Sequence, residues 1–427
     1  MKEQLKEFAK AIGQQFFSGM DLKTPSSWFE MFELLTKVMK EQVSKRQKVV
    51  LFLDEFPWMA TPRSSLLSAF EYYWNQYWVE DDRIKVVICG SASSWIIKNI
   101  INNKGGLHNR VQHKMLLEPM DLGETKSLLR SMGIRLKDIQ IAEIYMAMGG
   151  IPYYLSHVKK GVSATQAIQR LAFEKNSLFL DEFTNLYAAL FDDADVYVSI
   201  VRAIASHRYG IAQAKLYKLV KDISKGGTAS EKLKALEAAG FIVSFIPYKH
   251  RRKGIYYKVV DEYSLFYFHW IEPIKTTLAR KGLREGYWDK VHKTPAWSTW
   301  AGYAFEAMCY KHLTQISEAL HLSPTALPYT WQYVPKSGSP EDGAQINLLF
   351  DRDDDAITIC EIKFTQKPFA IDKPYAHRLL KKLEVFKKRT KTKKELFISM
   401  VSANGLKNTM YAEEIVDQVV TLEDLFG

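Results

Sequence analysis

The stretch Lys48–Met59, KVVLFLDEFPWM, constrains this chain more than any other. Its five consecutive apolar residues, Val49–Leu53, predict a strand buried on both faces, as in a parallel sheet. Two carboxylates, Asp54 and Glu55, follow where that strand must end. In open α/β sheets, ligands lie at the carboxyl ends of strands. Adjacent acids there suit metal-assisted phosphate chemistry: one holds Mg²⁺ through water, the other polarises an attacking water. The alternative is a solvated acidic pair before a Pro turn.

The surrounding elements favour the first reading. Residues 1–47 read as helices, with Leu5, Phe8, Ala9 and Ile12, then Trp28, Met31, Phe32 and Leu35, at helical spacing. SSLLSAFEYYWNQYW (64–78) reads as an aromatic amphipathic helix that packs into a core. KVVICGSASSW (85–95) predicts a second buried strand, Val86–Cys89, ending at Gly90 and Ser91. HKMLLEPM (113–120) predicts a third, and 121–150 reads as helix ending at GGIP. This β–α–β–α–β order is doubly wound α/β. At its strand ends, Ser91 would read a nucleotide γ-phosphate by hydrogen bond, and Arg110 would neutralise transition-state charge.

LFLDEFPWM, ICGSASSW, the Arg110 loop leading into LEPM, and GGIPYYL together resemble the archaeal-type AAA/STAND ATPases. The resemblance spans residues 1 to about 160. It implies a P-loop NTPase-like sheet binding ATP and Mg²⁺, with Asp54 and Glu55 as the Walker B pair, Asp54 on the metal–nucleotide, Ser91 at a sensor-1 position and Arg110 as a finger-like arginine. It also implies a phosphate loop, G-x-x-x-x-G-K-[ST], on a strand before Asp54. The chain contains no Gly-Lys dipeptide. The sheet is therefore expected to be incomplete and ATP hydrolysis weak or absent, as in a truncated or degenerate member.

The middle, 161–275, reads as a helical linker followed by a winged helix over 196–270. Three helices precede a hairpin of FIVSFIPY (241–248) and IYYKVVD (255–261). Lys232 and Lys234 on the third helix, with His250, Arg251, Arg252 and Lys253 at the hairpin tip, have the form of a duplex-DNA reader. Packing against the ATPase core as a lid is the competing role.

The last part, 276–427, reads as a third α/β unit. WAGYAFEAMCYKHL (300–313) is a helix with Glu306 on or near its apolar face. GAQINLLFDRDDDAITICEIKF (343–364) is a hairpin that projects Glu361 and Lys363 from one strand face. Glu361 would bind Mg²⁺ while Lys363 positions a water for phosphodiester attack. This arrangement resembles a PD-(D/E)XK, restriction-endonuclease-like core. The resemblance places Asn347 where that family carries an Asp, a weaker ligand for a hard cation. From Asp372 to Lys394, ten Lys/Arg against two acids lie on an amphipathic helix. Its Lys381, Lys382, Lys387 and Lys388 would follow a DNA backbone.

The formal net charge of +11 favours an anionic partner, nucleic acid first. Three scattered cysteines suit a reducing cytoplasm, and no apolar run suits a membrane. The expected protein is thus multidomain α/β: an ATPase-family chain with a DNA-binding middle and a nuclease-like tail. A non-enzymatic DNA-binding scaffold and a Mg²⁺-dependent nuclease are the alternatives. Homo-oligomerisation is left open.

Overall fold

The computed structural model describes residues 2–61, 63–91, 93–220, 223, 227–250, 254–336, 338–339 and 341–427. The chain divides into two compact units, Met1–Leu116 and Leu117–Gly427.

In the first unit, α1 (Lys2–Phe16) and α2 (Trp28–Gln42) pair their apolar stripes. Leu5, Ala9 and Ile12 join Trp28, Met31, Phe32 and Leu35 in one core. Ser27 caps α2, its hydroxyl accepting from the Glu30 amide at 3.2 Å. The strand β1 (Val49–Leu53) pairs in parallel with β2 (Ile84–Ile88), from Val49↔Ile84 to Leu53↔Ile88. Between them, α3 (Leu66–Tyr73) runs into a π-helical turn ending at Trp78. Leu66, Phe70 and Trp78 are buried, and the Trp78 indole donates to Thr36 Oγ1 at 2.9 Å.

Two strand expectations are corrected here. First, β1 is buried on one face only. Val49, Leu51 and Leu53 face the helices, whereas Val50 and Phe52 are 63% and 58% exposed, and Val87 on β2 is 43% exposed. A parallel strand is buried twice only when helices cover both sheet faces, and α1–α3 cover one. Second, 113–120 forms no strand; Met115, Leu116 and Leu117 are 86%, 66% and 85% exposed. An apolar run becomes a strand only when a neighbouring edge supplies ladder partners, and none pairs with it among the described residues.

The second unit opens on α4 (Leu122–Ser131), whose capping box joins Asp121 and Glu124 reciprocally. The next helix, α5 (Asp138–Met148), is buried at every residue from Ile141 to Met148, which explains its lack of a polar stripe. It stops at Gly149, where φ is +67°. At Gly150 a Cβ would lie 1.8 Å from the Met120 carbonyl oxygen. The Met120 amide donates to the Gly150 carbonyl at 2.9 Å, so the EPM and GGIP motifs form one backbone junction.

Next come α6 (Leu178–Leu190), α7 (Ala194–Ala205), the short β3 (Ile211–Ala212), α8 (Gln213–Leu219) and α9 (Gly227–Ala238). A hairpin of β4 (Ile242–Phe245) and β5 (Tyr256–Val259) follows, and β3 adds to the free edge of β5. After α10 (Glu262–Phe266), α11 (Pro295–Lys311) leads into a five-stranded sheet. Its strands are β6 (Leu327–Tyr333), β7 (Ala344–Asp351), β8 (Ala356–Lys363), β9 (Glu395–Ser402) and β10 (Gln418–Val420), in spatial order β10-β9-β8-β7-β6. The β6–β7 and β7–β8 pairs are antiparallel; β8–β9 and β9–β10 are parallel. The crossover from β8 to β9 is α12 (Lys373–Thr390), which buries Ala376, Leu379 and Phe386. Asp372 caps it, accepting from the Tyr375 amide at 2.8 Å.

The β4–β5 hairpin is anchored to the mixed sheet. Tyr248 is buried with Trp331, Ile346 and Phe386, and its amide donates to the Thr330 carbonyl at 2.7 Å. Lys249 Nζ donates to the Thr390 carbonyl at 2.7 Å. Among the described residues, no helix is long and apolar enough to cross a membrane.

Candidate functional site

In the first unit, the ends of β1 and β2 bring four polar side chains together. Parallel pairing continues past both strands: the Cys89 amide donates to the Leu53 carbonyl, and the Phe56 amide to the Cys89 carbonyl, each at 3.0 Å. Asp54 Oδ1 accepts from the Glu55 amide at 3.0 Å and from the Cys89 thiol at 2.7 Å. Burial, and then the Asp54 carboxylate, raise the Cys89 thiol pKa. Glu55 adopts a left-handed conformation (φ 47°, ψ 41°). That turn carries its carboxylate to Ser91, whose hydroxyl donates to Oε2 at 3.1 Å. Glycine is required at position 90, where a Cβ would lie 2.6 Å from the Pro57 ring. Asp54, Glu55 and Ser91 thus converge. Arg110 lies exposed in a turn and forms no side-chain hydrogen bond or ion pair with them among the described residues. Among the described residues Asp54 Oδ2 accepts from no protein donor, which suits one water-mediated Mg²⁺ contact but leaves the rest of the coordination shell to phosphates and water.

In the second unit, Glu306, Asn347, Glu361 and Lys363 gather where α11 crosses the β7–β8 hairpin, but their bonding does not suit a divalent cation. Glu361 Oε2 meets Lys382 Nζ at 2.5 Å; Oε1 meets Lys363 Nζ at 3.0 Å and the Tyr375 hydroxyl at 2.6 Å. Burial opposes ionisation, yet Lys382 and Lys363 hold the Glu361 pKa down to about 2. Both Glu361 oxygens are therefore taken by ammonium and hydroxyl donors. Asn347 Oδ1 accepts from the Gln345 amide. Burial raises the Glu306 pKa, against the pull of Lys258 and Lys363. No group of three or more His, Cys, Asp or Glu side chains is placed to hold a metal among the described residues. Glu361, expected as a Mg²⁺ ligand, has both carboxylate oxygens engaged by Lys382, Lys363 and Tyr375 in this structure.

The expected DNA-binding residues divide. Lys232 pairs with Asp193 at 2.8 Å, Lys381 with Asp342 at 2.7 Å, Lys382 with Glu361, and Lys388 with Glu341 at 3.3 Å. Lys234 and Lys387 are exposed and form no ion pair among the described residues. His250 is exposed beside Tyr256, with ring centroids 6.1 Å apart. Arg251, Arg252 and Lys253 lie outside the described residues.

Sequence reasoning missed Lys258, Tyr310 and Tyr375, and assigned Lys382 to DNA rather than to Glu361. Lys258 alternates with buried Tyr257 and Val259, the usual sign of a solvent-facing strand position.

Residues 2–158 match the family model described as an ATPase domain predominantly from Archaea. An uncharacterized protein, MJECL04 of Methanocaldococcus jannaschii, is 23% identical over 320 residues, covering 74% of this chain and 67% of that protein. The Walker-type ATPase PABY2304 of Pyrococcus abyssi is a structural match with a TM-score of 0.41 and 19% identity, covering 62% of this chain and 78% of that one. The segment 2–158, which carries Asp54, Glu55 and Ser91 at its strand ends, is similar to the archaeal ATPase domain.

Proposed function

We propose that this chain is an AAA/STAND-type ATPase-family protein that retains the magnesium-and-water end of a nucleotide site and acts on DNA by binding rather than cutting. The observation that carries this reading is the convergence of Asp54, Glu55 and Ser91 at the ends of two parallel strands, inside the segment similar to an ATPase domain. Asp54 would hold Mg²⁺–nucleotide through water, and Glu55, steered by Ser91, would orient the attacking water. No Gly-Lys dipeptide provides the phosphate-loop lysine, so hydrolysis is expected to be slow or absent. The order α7–α8–α9 followed by the β4–β5 hairpin supports a winged-helix reading, and α11 with the β7–β8 hairpin supports a nuclease-derived one. The clamp on Glu361 favours a scaffold over a nuclease. Three unpaired cysteines agree with work in the cytoplasm.

The test is calorimetric titration of Mg²⁺-ATP into the chain and into Asp54→Ala. Saturable heat in the first and none in the second supports a working nucleotide end. Flat titrations in both would refute it. The DNA half is tested separately by salt-dependent duplex binding. Loss of the phosphate-contacting Lys387 should reduce the salt slope by about 1, and no binding at low salt would refute this half.

A further inference from the structure

The loop between β6 and β7 lays two acids on the basic face of α12. Glu341 accepts from the Tyr333 hydroxyl at 2.7 Å and from Lys388 Nζ at 3.3 Å, and it pairs with the Arg389 guanidinium. The next residue, Asp342, pairs with Lys381 at 2.7 Å. Lys381 and Lys388 stand two turns apart on one side of the helix, roughly 10 Å along its axis. One loop thus engages Lys381, Lys388 and Arg389 together, on the helix that would follow a DNA backbone.

The receiving side is oriented by more than the acids. The Arg389 guanidinium lies 3.9 Å over the Tyr333 ring, which restrains its plane. A guanidinium fork, an ammonium and a hydroxyl that converge on one carboxylate suit a phosphate equally well. The pairs are also reachable: the Glu341 side chain is 35% exposed and that of Asp342 is 56% exposed. Exposed ion pairs are individually weak, so these can open. The short tether keeps the two carboxylates at high local concentration, against which a lone dilute anion competes poorly. A duplex, with one charge per about 1.7 Å of axis, meets all three cations at once. Lys387, which forms no ion pair among the described residues, is left for the first contact.

We propose that Glu341 and Asp342 form an acidic strap over a phosphate-binding face made by Tyr333, Lys381, Lys388 and Arg389, and that duplex phosphates displace it. The strap holds the place of phosphate in the free protein and sets a threshold that a polyanion crosses and an isolated anion does not. This inference rests on the DNA-binding reading of α12.

The experiment follows the fluorescence anisotropy of a fluorescein-labelled DNA duplex titrated with the full chain in EDTA at low salt. Three proteins are compared: wild type, the strap variant Glu341→Gln with Asp342→Asn, and Glu3→Gln with Glu7→Gln. The last removes the same charge from two exposed acids of α1 and so controls for net charge. The strap variant should bind the duplex at least about tenfold more tightly than wild type, and the control within about threefold of it. Adding Lys388→Ala and Arg389→Ala to the strap variant should remove the gain. Thermal melts verify that each variant is folded. Equal affinity of the strap variant and the control, or a gain that survives the loss of Lys388 and Arg389, would overturn the strap and leave the DNA-binding reading standing. No binding by any of these proteins would overturn both.

Discussion

Replacing Lys258 with Met should stabilise the protein at neutral pH, and the gain should vanish in alkali. Burial lowers the Lys258 pKa from 10.5 to about 8, only partly offset by the Glu306 carboxylate. Glu306 and Cys309 from α11 act on its charge, the Tyr310 ring lies 4.1 Å from its Nζ, and Tyr256, His250 and Asn347 line the adjoining cavity. In the unfolded chain the lysine returns to its ordinary value. Between pH 8 and 10.5 the unfolded state therefore binds more protons, and stability rises with pH. Below that window the cost of charging the buried amine is constant. A fall from 10.5 to about 8 corresponds to about 3 kcal/mol, reduced toward about 1 by water in the adjoining cavity. Met is unbranched and similar in length, so it fills the same space with little packing loss. Urea denaturation at pH 7 and at pH 10.5, in phosphate-free buffer, reads the difference between variant and wild type. The variant should be more stable by about 1–3 kcal/mol at pH 7 and nearly equal at pH 10.5. A variant that is less stable at pH 7, with a deficit that does not change with pH, would mean that Lys258 is paired, and the reasoning fails.

Three further outcomes are expected. Lys311→Met strands Glu262, which is 1% exposed and bonded to Lys311 at 2.6 Å, and should cost about 3–5 kcal/mol in denaturant melts; a loss below about 1 kcal/mol would show that the pair is dispensable. Glu361, whose pKa is held at about 2, stabilises the fold above the ordinary carboxylate range and loses that contribution as pH falls toward 2. Lys382→Met should therefore flatten the acid limb of the stability profile, and an unchanged limb would remove Lys382 as the cause. Gly150→Ala, which drives a Cβ into the Met120 carbonyl, should lower Tm by several degrees in a scanning melt; an unchanged Tm would show that this junction yields without cost.

Local pattern alone determined the elements and their order. The apolar run before Asp54 and Glu55, the Trp28–Leu35 stripe, the Gly stop after α5 and the β7–β8 hairpin carrying Glu361 and Lys363 are each written in a few adjacent residues. Periodicity reports which face of an element is apolar, because side chains repeat every 2 or 3.6 residues. It does not report what covers that face. Hence the pattern predicts β1 buried on both faces and 113–120 as a strand, although only a neighbouring strand makes one. Charge was misread for the same reason. Lys382 reads as part of a basic, DNA-facing helix face, and only the folding of α12 against the mixed sheet turns it onto Glu361. Ion pairing and desolvation depend on distances across the fold, which no local spacing encodes.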